Sequence, residues 1–234
     1  MRTREADAIL EKKIPLVGMR KIIAAGMKNS LNTAAQTSHR VSVDMTDASA
    51  FRAKLKEEGR KISFNDMVCM ATIAALKEFP ILNSEIRENA IYAKNYVNLG
   101  IAVAIPNGLI VPVVKDADLM NVTELSETIR EMAGRAKNMK LKPDEYKGST
   151  FTISNLGMYG LDSFVAIINQ PDSGILAVGK IEKKPVVRDD QIVIRSMMDC
   201  TLSYDHRVVD GAIAAQFIMK IKENLEHPEA LNWD

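Results

Sequence analysis

The 234-residue sequence predicts one α+β domain in which a mixed sheet of hairpin-paired strands packs against helices. Three observations carry this. Apolar residues recur at helical spacing in several separate segments. Strand-like runs come in neighbouring pairs around turn residues. The two kinds of segment do not alternate one to one, as a doubly wound parallel sheet requires. A hydrophobic content of 47% over this length can bury a substantial core.

The elements are taken in chain order. Residues 1–14 read as a charged, disordered or linker-like segment, and residues 15–234 as the domain. From Pro15 to Leu31, Met19, Ile22, Ile23, Met27 and Leu31 keep helical spacing, with Arg20, Lys21 and Lys28 between them. Val41, Val43 and Met45 alternate, so residues 36–45 read as a strand. Asp47 or Ser49 opens a helix through Phe51 and Leu55, which Gly59 ends. Asn65 is placed to cap the next helix. Its body from Met67 to Leu76 is apolar nearly all round and predicts deep burial, and Pro80 prevents the helix from continuing.

Strand signals come next. Runs over 97–105 and 109–114 flank Pro106-Asn107-Gly108, a hairpin turn. Val122, Leu125, Ile129, Met132, Ala136 and Met139 mark a long helix, with Pro143 beyond it. Residues 151–154, 175–178, 186–188 and 191–202 read as strands, the last two paired around Asp189-Asp190. Ile213, Phe217, Ile221 and Leu225 recur at intervals of four in a final helix ending near Glu226.

Composition excludes several classes of function. Thirty-one basic and 30 acidic residues leave a formal charge of +1 with no long basic block, which argues against a nucleic-acid partner. No run of 18 apolar residues occurs, so no membrane partner is predicted. The N-terminus (Arg2, Arg4, Glu5, Asp7) lacks the apolar stretch of a signal peptide. Cys69 and Cys200 lie far apart in apolar segments and read as buried thiols in a reducing compartment, with the cytoplasm as default. There is no CxxC, HExxH or P-loop.

The most informative run is Ser203-Tyr204-Asp205-His206-Arg207-Val208-Val209-Asp210-Gly211, between a strand-like run and a helix start. An imidazole titrates near neutral pH, so it can take a proton from a nucleophile and return it to a leaving group. Asp210 is well placed as the N-cap of the last helix. By itself HxxxD is more often a surface loop whose Asp caps a helix. Metal ligation by His206 and Asp210 at i and i+4 spacing lacks a third ligand, and no metal is predicted. His227, beside Pro228, reads as solvent-exposed.

Four runs together raise the weight of that histidine. They are Ser63-Phe64-Asn65-Asp66, Ala104-Ile105-Pro106-Asn107-Gly108-Leu109-Ile110-Val111-Pro112-Val113-Val114, Gly148-Ser149-Thr150-Phe151-Thr152-Ile153-Ser154-Asn155-Leu156-Gly157 and Leu202-Ser203-Tyr204-Asp205-His206-Arg207-Val208-Val209-Asp210-Gly211-Ala212. In this order, over roughly residues 15–230, they resemble the catalytic core domain of dihydrolipoamide acyltransferases. These are the central components of 2-oxo acid dehydrogenase and acetoin-cleaving complexes.

The resemblance implies a chloramphenicol acetyltransferase-like fold and transfer of an acyl group, acetyl first, between the thiols of dihydrolipoamide and coenzyme A. Coenzyme A is then a substrate, and the lipoyl group comes from a separate domain or chain. His206 matches the base and acid; a thiol titrates near about 8.5 and an imidazole near about 6.5, so one group can serve both steps. Asp210 matches the second catalytic position, read as an orienting group that a salt bridge to Arg20 would support. A solvated basic face is the other reading of Arg20. Ser154 matches the hydroxyl that hydrogen-bonds the oxyanion; without the resemblance it reads as a strand-end turn hydroxyl. His39, in Thr37-Ser38-His39-Arg40, is a substrate-binding candidate by the same route, against a satisfied structural histidine.

As partners the resemblance implies a homotrimer with active sites between subunits, cubic or icosahedral assembly, and the decarboxylating dehydrogenase and dihydrolipoamide dehydrogenase of a parent complex. The chain departs from the family pattern in three ways. No lipoyl or subunit-binding domain is found, so an isolated catalytic domain is expected. Gln170 replaces one proline of the Asn-Pro-Pro turn. The end, Ala230-Leu231-Asn232-Trp233-Asp234, is mixed in character where relatives carry an apolar tail. Two rival readings remain: a chloramphenicol-type O-acetyltransferase using acetyl-CoA, and a non-catalytic core scaffold.

Overall fold

Helix α1 (Gly18–Thr33) opens the computed structural model, which describes residues 13–105 and 108–233. Residues 1–12, most of the expected linker-like segment, lie outside the described residues. The spacing of Met19 to Leu31 does produce α1, but within one chain its apolar stripe is only partly covered: Ile22 is 74% exposed and Leu31 is exposed, while Met19, Ile23 and Met27 are half-buried. It is anchored near its end, where the buried Ser30 hydroxyl donates to the Ile168 carbonyl at 2.7 Å.

Strand β1 (Gln36–Asp44) comes after it, then helix α2 (Thr46–Glu57). This helix begins ahead of both expected caps. The Asp44 carboxylate accepts the Thr46 N–H at 3.1 Å, while Asp47 and Ser49 lie inside the helix. Helix α3 (Phe64–Glu78) is capped by Ser63 and not by Asn65. The Ser63 hydroxyl accepts the Asp66 N–H, and the Asp66 carboxylate accepts the Ser63 N–H, a reciprocal box that leaves the Asn65 side chain free for other contacts. As expected, the body of α3 is buried from Met67 to Leu76 on most sides.

A hairpin that periodicity did not reveal comes next, β2 (Ser84–Arg87) and β3 (Ala90–Ala93). Its turn residues Glu88 and Asn89 have φ of 49° and 60°. The two runs around Gly108 form four short strands: β4 (Leu99–Ile101), β5 (Val103–Ile105), β6 (Gly108–Ile110) and β7 (Val113–Val114). β5 pairs with β6 and β4 with β7, in different sheets. The break falls at Pro112, which has no N–H for the ladder, and at Ala102, whose N–H donates to Ile153 instead. Turn residues 106 and 107 lie outside the described residues.

Helix α4 (Val122–Lys137) is capped by Asn121 and buries Val122, Leu125, Ile129, Met132 and Ala136. Strand β8 (Phe151–Asn155) precedes two long strands, β9 (Gly174–Arg188) and β10 (Gln191–Asp205). β9 joins the two expected runs at 175–178 and 186–188 into one. It pairs with β10 around Asp189 and Asp190, at φ of 50° and 58°. Helix α5 (Gly211–Glu226) closes the fold, with Trp233 beyond it packed on Phe51.

The main sheet has the order β1-β10-β9-β8-β4-β7. β8 runs parallel to β4 and β9, and the remaining neighbours are antiparallel, so the sheet is mixed as expected for an α+β domain. α5 packs on β1 and α3, and Phe151, Phe79 and Phe217 meet edge-on beneath it. Cys69 and Cys200 are both buried and unpaired with each other; burial and the neighbouring Asp199 push the Cys200 thiol up to about 12.

Candidate active site

Two places in this sheet carry the candidate residues. The first is the end of β10. Ser203, Tyr204 and Asp205 are buried, and the chain then turns outward so that His206 and Asp210 are exposed. Asp205 organises the turn. Its carboxylate accepts Arg207 Nη2 at 2.6 Å, Arg207 Nε at 3.0 Å and the Arg207 N–H at 3.0 Å, and also the Ala35 N–H at 3.2 Å. The His206 N–H donates to the Ala35 carbonyl at 2.9 Å. Burial pushes the Asp205 carboxyl up, but the Arg207 side chain and the backbone donors outweigh it and hold the group below its ordinary range.

His39 on β1 belongs to the same place. Its Nε2 lies 2.9 Å from Tyr204 Oη and 3.1 Å from the Gly211 carbonyl oxygen. A carbonyl can only accept, so the contact to Gly211 is a hydrogen bond in the tautomer with the proton on Nε2, while in the other tautomer Nε2 accepts from Tyr204. A Cβ built on Gly211 would stand 3.6 Å from Tyr204 Oη, 3.8 Å from His39 Nε2 and 3.9 Å from His206 Nε2. The start of α5 therefore sits where three polar side chains converge. Asp210 occupies the N-cap position of α5, yet its side chain makes no capping hydrogen bond, so its expected capping role is not filled. Arg20 lies exposed on α1.

The second place is the end of β8. Ser154 is 7% exposed and lines a cavity of about 460 Å3 between β8, the β4–β6 segment, α3 and α4. Its hydroxyl makes no hydrogen bond to another described residue and is free to donate. Ile101, Val103, Leu109 and Ile129 give the cavity an apolar wall. Arg130 and Lys137, two turns apart on α4, add cationic groups.

One chain does not bring these places together. Ser154 pairs with Ala177 and Ala177 with Thr201, two strands away. His206 lies five residues beyond Thr201, so strand rise and spacing put the two groups about 15–20 Å apart. The sequence pattern placed both residues in the site but carries no information on this separation.

Several neighbours escaped sequence reasoning. Tyr204 reads only as a strand residue. The Asp205–Arg207 pair has an i,i+2 charge pattern too common to single out. Asp172, 1% exposed, accepts hydrogen bonds from Ser149 Oγ at 2.8 Å and Thr152 Oγ1 at 2.6 Å beside β8. Burial pushes its carboxyl up to about 7 against the lowering effect of those hydroxyls. Asn155 and Asn65 are hydrogen-bonded to each other at the wall of the Ser154 cavity.

Comparison with known proteins places this geometry. Residues 10–232 match the model of the 2-oxoacid dehydrogenases acyltransferase (catalytic domain) family. The chain is 41% identical to the dihydrolipoyllysine-residue acetyltransferase component of the pyruvate dehydrogenase complex of Rickettsia felis, over 92% of this chain and 53% of that protein. It is 43% identical to the succinyltransferase component of the 2-oxoglutarate dehydrogenase complex of Rickettsia bellii, over 98% and 59%. It is 38% identical to the acetyltransferase component of the acetoin cleaving system of Bacillus subtilis, over 97% and 59%. The chain thus spans about half the length of the curated relatives it matches.

Among solved structures, the dihydrolipoamide acetyltransferase of Azotobacter vinelandii superposes with a TM-score of 0.90 at 31% identity, covering 98% of both chains. A serine, a histidine and an asparagine were studied there for their role in catalysis, and their chain spacing equals that of Ser154, His206 and Asp210. The cubic core of a pyruvate dehydrogenase multienzyme complex gives 0.87 at 32% identity, again over 98% of both. A chloramphenicol acetyltransferase gives 0.53 at 16% identity over 85% of this chain and 94% of that one, a likeness of fold.

Proposed function

The chain belongs to the 2-oxoacid dehydrogenase acyltransferase family, as a catalytic domain, and from that premise we propose that it moves an acyl group between the thiols of dihydrolipoamide and coenzyme A. The observation that carries the proposal is the pairing of an exposed imidazole, His206, with a free hydroxyl, Ser154, that a single chain holds about 15–20 Å apart. Two copies supply what one lacks. His206 of one subunit meets the Ser154 cavity of the next, and three such interfaces close a homotrimer. The exposed Ile22 and Leu31 of α1 support burial against another copy.

In the reaction, His206 takes the proton from the incoming thiol as its sulfur attacks the thioester carbonyl carbon. The carbonyl electron pair moves onto oxygen, and the Ser154 hydroxyl donates a hydrogen bond to that oxyanion. Collapse of the tetrahedral intermediate breaks the bond to the second sulfur, which leaves with the proton from His206. One thioester replaces another, with no net redox change and no acyl-enzyme. Arg130 and Lys137 suit the phosphates of coenzyme A, and the apolar wall suits a pantetheine arm.

Asp210 has the same spacing from His206 as the relative's asparagine has from its histidine, and that uncharged side chain supports orientation over proton transfer. The ion pair of Asp210 with Arg20, contact of His39 with substrate, the cytoplasmic setting and the partner enzymes of a parent complex remain parts of the proposal. So does assembly of trimers into a cage, which the likeness to a cubic core supports. The acyl group is acetyl as first choice; relatives named for acetyl and for succinyl transfer resemble the chain about equally.

Subunit complementation tests the reading. His206→Ala and Ser154→Ala proteins are each assayed alone, then refolded as a mixture, with acetyl-CoA and dihydrolipoamide. Each mixed trimer holds one intact interface, so the mixture regains activity that neither parent shows. A mixture as inactive as its parents, with mixed trimers verified by mass, rules out the shared site.

A further inference from the structure

Asn65 is not the cap of α3, and what its side chain does instead points to a role. Asn155 comes directly after Ser154 at the end of β8. Its Oδ1 accepts the Gly157 N–H at 2.9 Å, and a backbone N–H can only donate, so the other end of this amide is Nδ2. That Nδ2 donates to Asn65 Oδ1 at 3.1 Å, which turns Asn65 Nδ2 toward Cys69 Sγ at 3.7 Å. Each amide has one orientation that satisfies the chain of bonds. Both asparagines line the Ser154 cavity and are half-buried, so the bond between them is partly shielded from water.

The same segment is tightly held from the sheet side. Leu156 N–H donates to Val178, and a Cβ on Gly157 would meet the Gly179 carbonyl oxygen at 2.6 Å, so this turn lies directly on the β9 backbone. On the opposite side, the Asn155–Asn65 bond ties the strand end to the first turn of α3. Ser154, itself paired with Ala177 on β9, comes immediately before this doubly restrained segment. An oxyanion donor is effective only when held in place before the charge develops, and a displacement of about 1 Å is costly.

We propose that Asn155 and Asn65 are positioning residues for acyl transfer, a bridge in the cavity wall between β8 and α3 that holds the Ser154 hydroxyl at the site of the oxyanion. The inference rests on the oxyanion role proposed for Ser154. Neither asparagine touches the reacting atoms; both act through Ser154.

The test is a mutant cycle in acyl transfer from acetyl-CoA to dihydrolipoamide. Asn155→Ala and Asn65→Ala each lower kcat about three- to tenfold, the kinetic equivalent of one hydrogen bond, with KM for acetyl-CoA changed less than about twofold. In a Ser154→Ala background, Asn155→Ala adds less than about a twofold further loss, because the group it positions is gone. Thermal melting and trimer mass are measured for each variant; if Asn155→Ala does not fold, Asn65→Ala carries the same cycle from the other end of the bridge. Full additivity in the Ser154→Ala background, or a rise in KM with kcat intact, overturns the positioning role alone. A Ser154→Ala enzyme with unchanged kcat overturns the oxyanion assignment and this inference with it.

Discussion

Arg207 closes on the Asp205 carboxylate through Nη2 at 2.6 Å and Nε at 3.0 Å, and the residue between them, His206, is exposed. The pair makes a rigid post of a three-residue turn. Asp205 is buried while Arg207 is 44% exposed at its side chain, so solvent screening weakens the Coulomb part and the hydrogen bonds matter more. Arg207→Ala therefore destabilises the protein by about 1–2 kcal/mol in urea unfolding at neutral pH. The Asp205 carboxyl lies below its ordinary range in the folded state, so its stabilisation is present above the unfolded value and lost as pH falls through the folded one. The stability difference between parent and variant is therefore full at neutral pH and narrows as pH falls through the carboxylate range. Superimposable acid-unfolding curves would show that the pair contributes nothing.

His206→Ala lowers thiol-to-thiol acyl transfer by at least about 100-fold, the lower end for loss of a general acid–base group. Because the ring is exposed and its turn is held by backbone and by Asp205, the fold and the proposed trimer survive the substitution. Steady-state rates and sedimentation of the variant decide the point; full activity removes the histidine from the mechanism.

Ser154→Ala reduces kcat by about 100- to 1000-fold with little change in coenzyme A affinity, since its hydroxyl contributes chiefly once the oxyanion has formed. Asp210→Asn retains most activity, because the related enzyme carries asparagine at the corresponding spacing and orientation does not need a charge. Parallel losses of binding and turnover in Ser154→Ala, measured by calorimetry and kinetics, would reassign that hydroxyl to substrate binding.

Asp172 makes stability depend on pH in the opposite sense to Asp205. Its folded value of about 7 exceeds the ordinary carboxylate value, so the folded state holds the proton more tightly. Its contribution is complete below about pH 4 and is lost as pH rises toward 7 and beyond, on the order of a few kcal/mol. Lys94 and Glu85 face it with opposing charge effects, and Ser149 and Thr152 donate to it in either state. Asp172→Asn removes the titration, so its unfolding free energy falls less than the parent's between pH 5 and 8. An equal slope in both proteins would contradict the assignment.

Local chemistry made much of the fold legible. Apolar spacing along Met19–Leu31, Val122–Ala136 and Ile213–Leu225 marks three of the five α-helices among the described residues, because a helix must bury one stripe. Asp189-Asp190 and the stretch around Gly108 mark hairpins because those turns need residues that tolerate left-handed backbone or tight reversal. The runs around His206 and Ser154 were recognisable as chemistry because a motif keeps its residue types together.

Exact caps and breaks were less legible. Ser63, Asn65 and Asp66 are all capping residues by type, and only their placement showed which one closes the box. Pro112 splits a predicted strand because its missing N–H matters only once a partner strand is known. The hairpin at Glu88-Asn89 lacks a glycine and so carries no strong turn signal.

By itself, the order of residues determined which side chains can move a proton, donate to an oxyanion and form the sheet and its helices. Only the tertiary structure decided that β9 and β10 separate Ser154 from His206, that Asn65 faces Asn155, and that Asp172 is sealed beside β8. Register and burial are properties of pairing between distant segments, and no single segment encodes its partner.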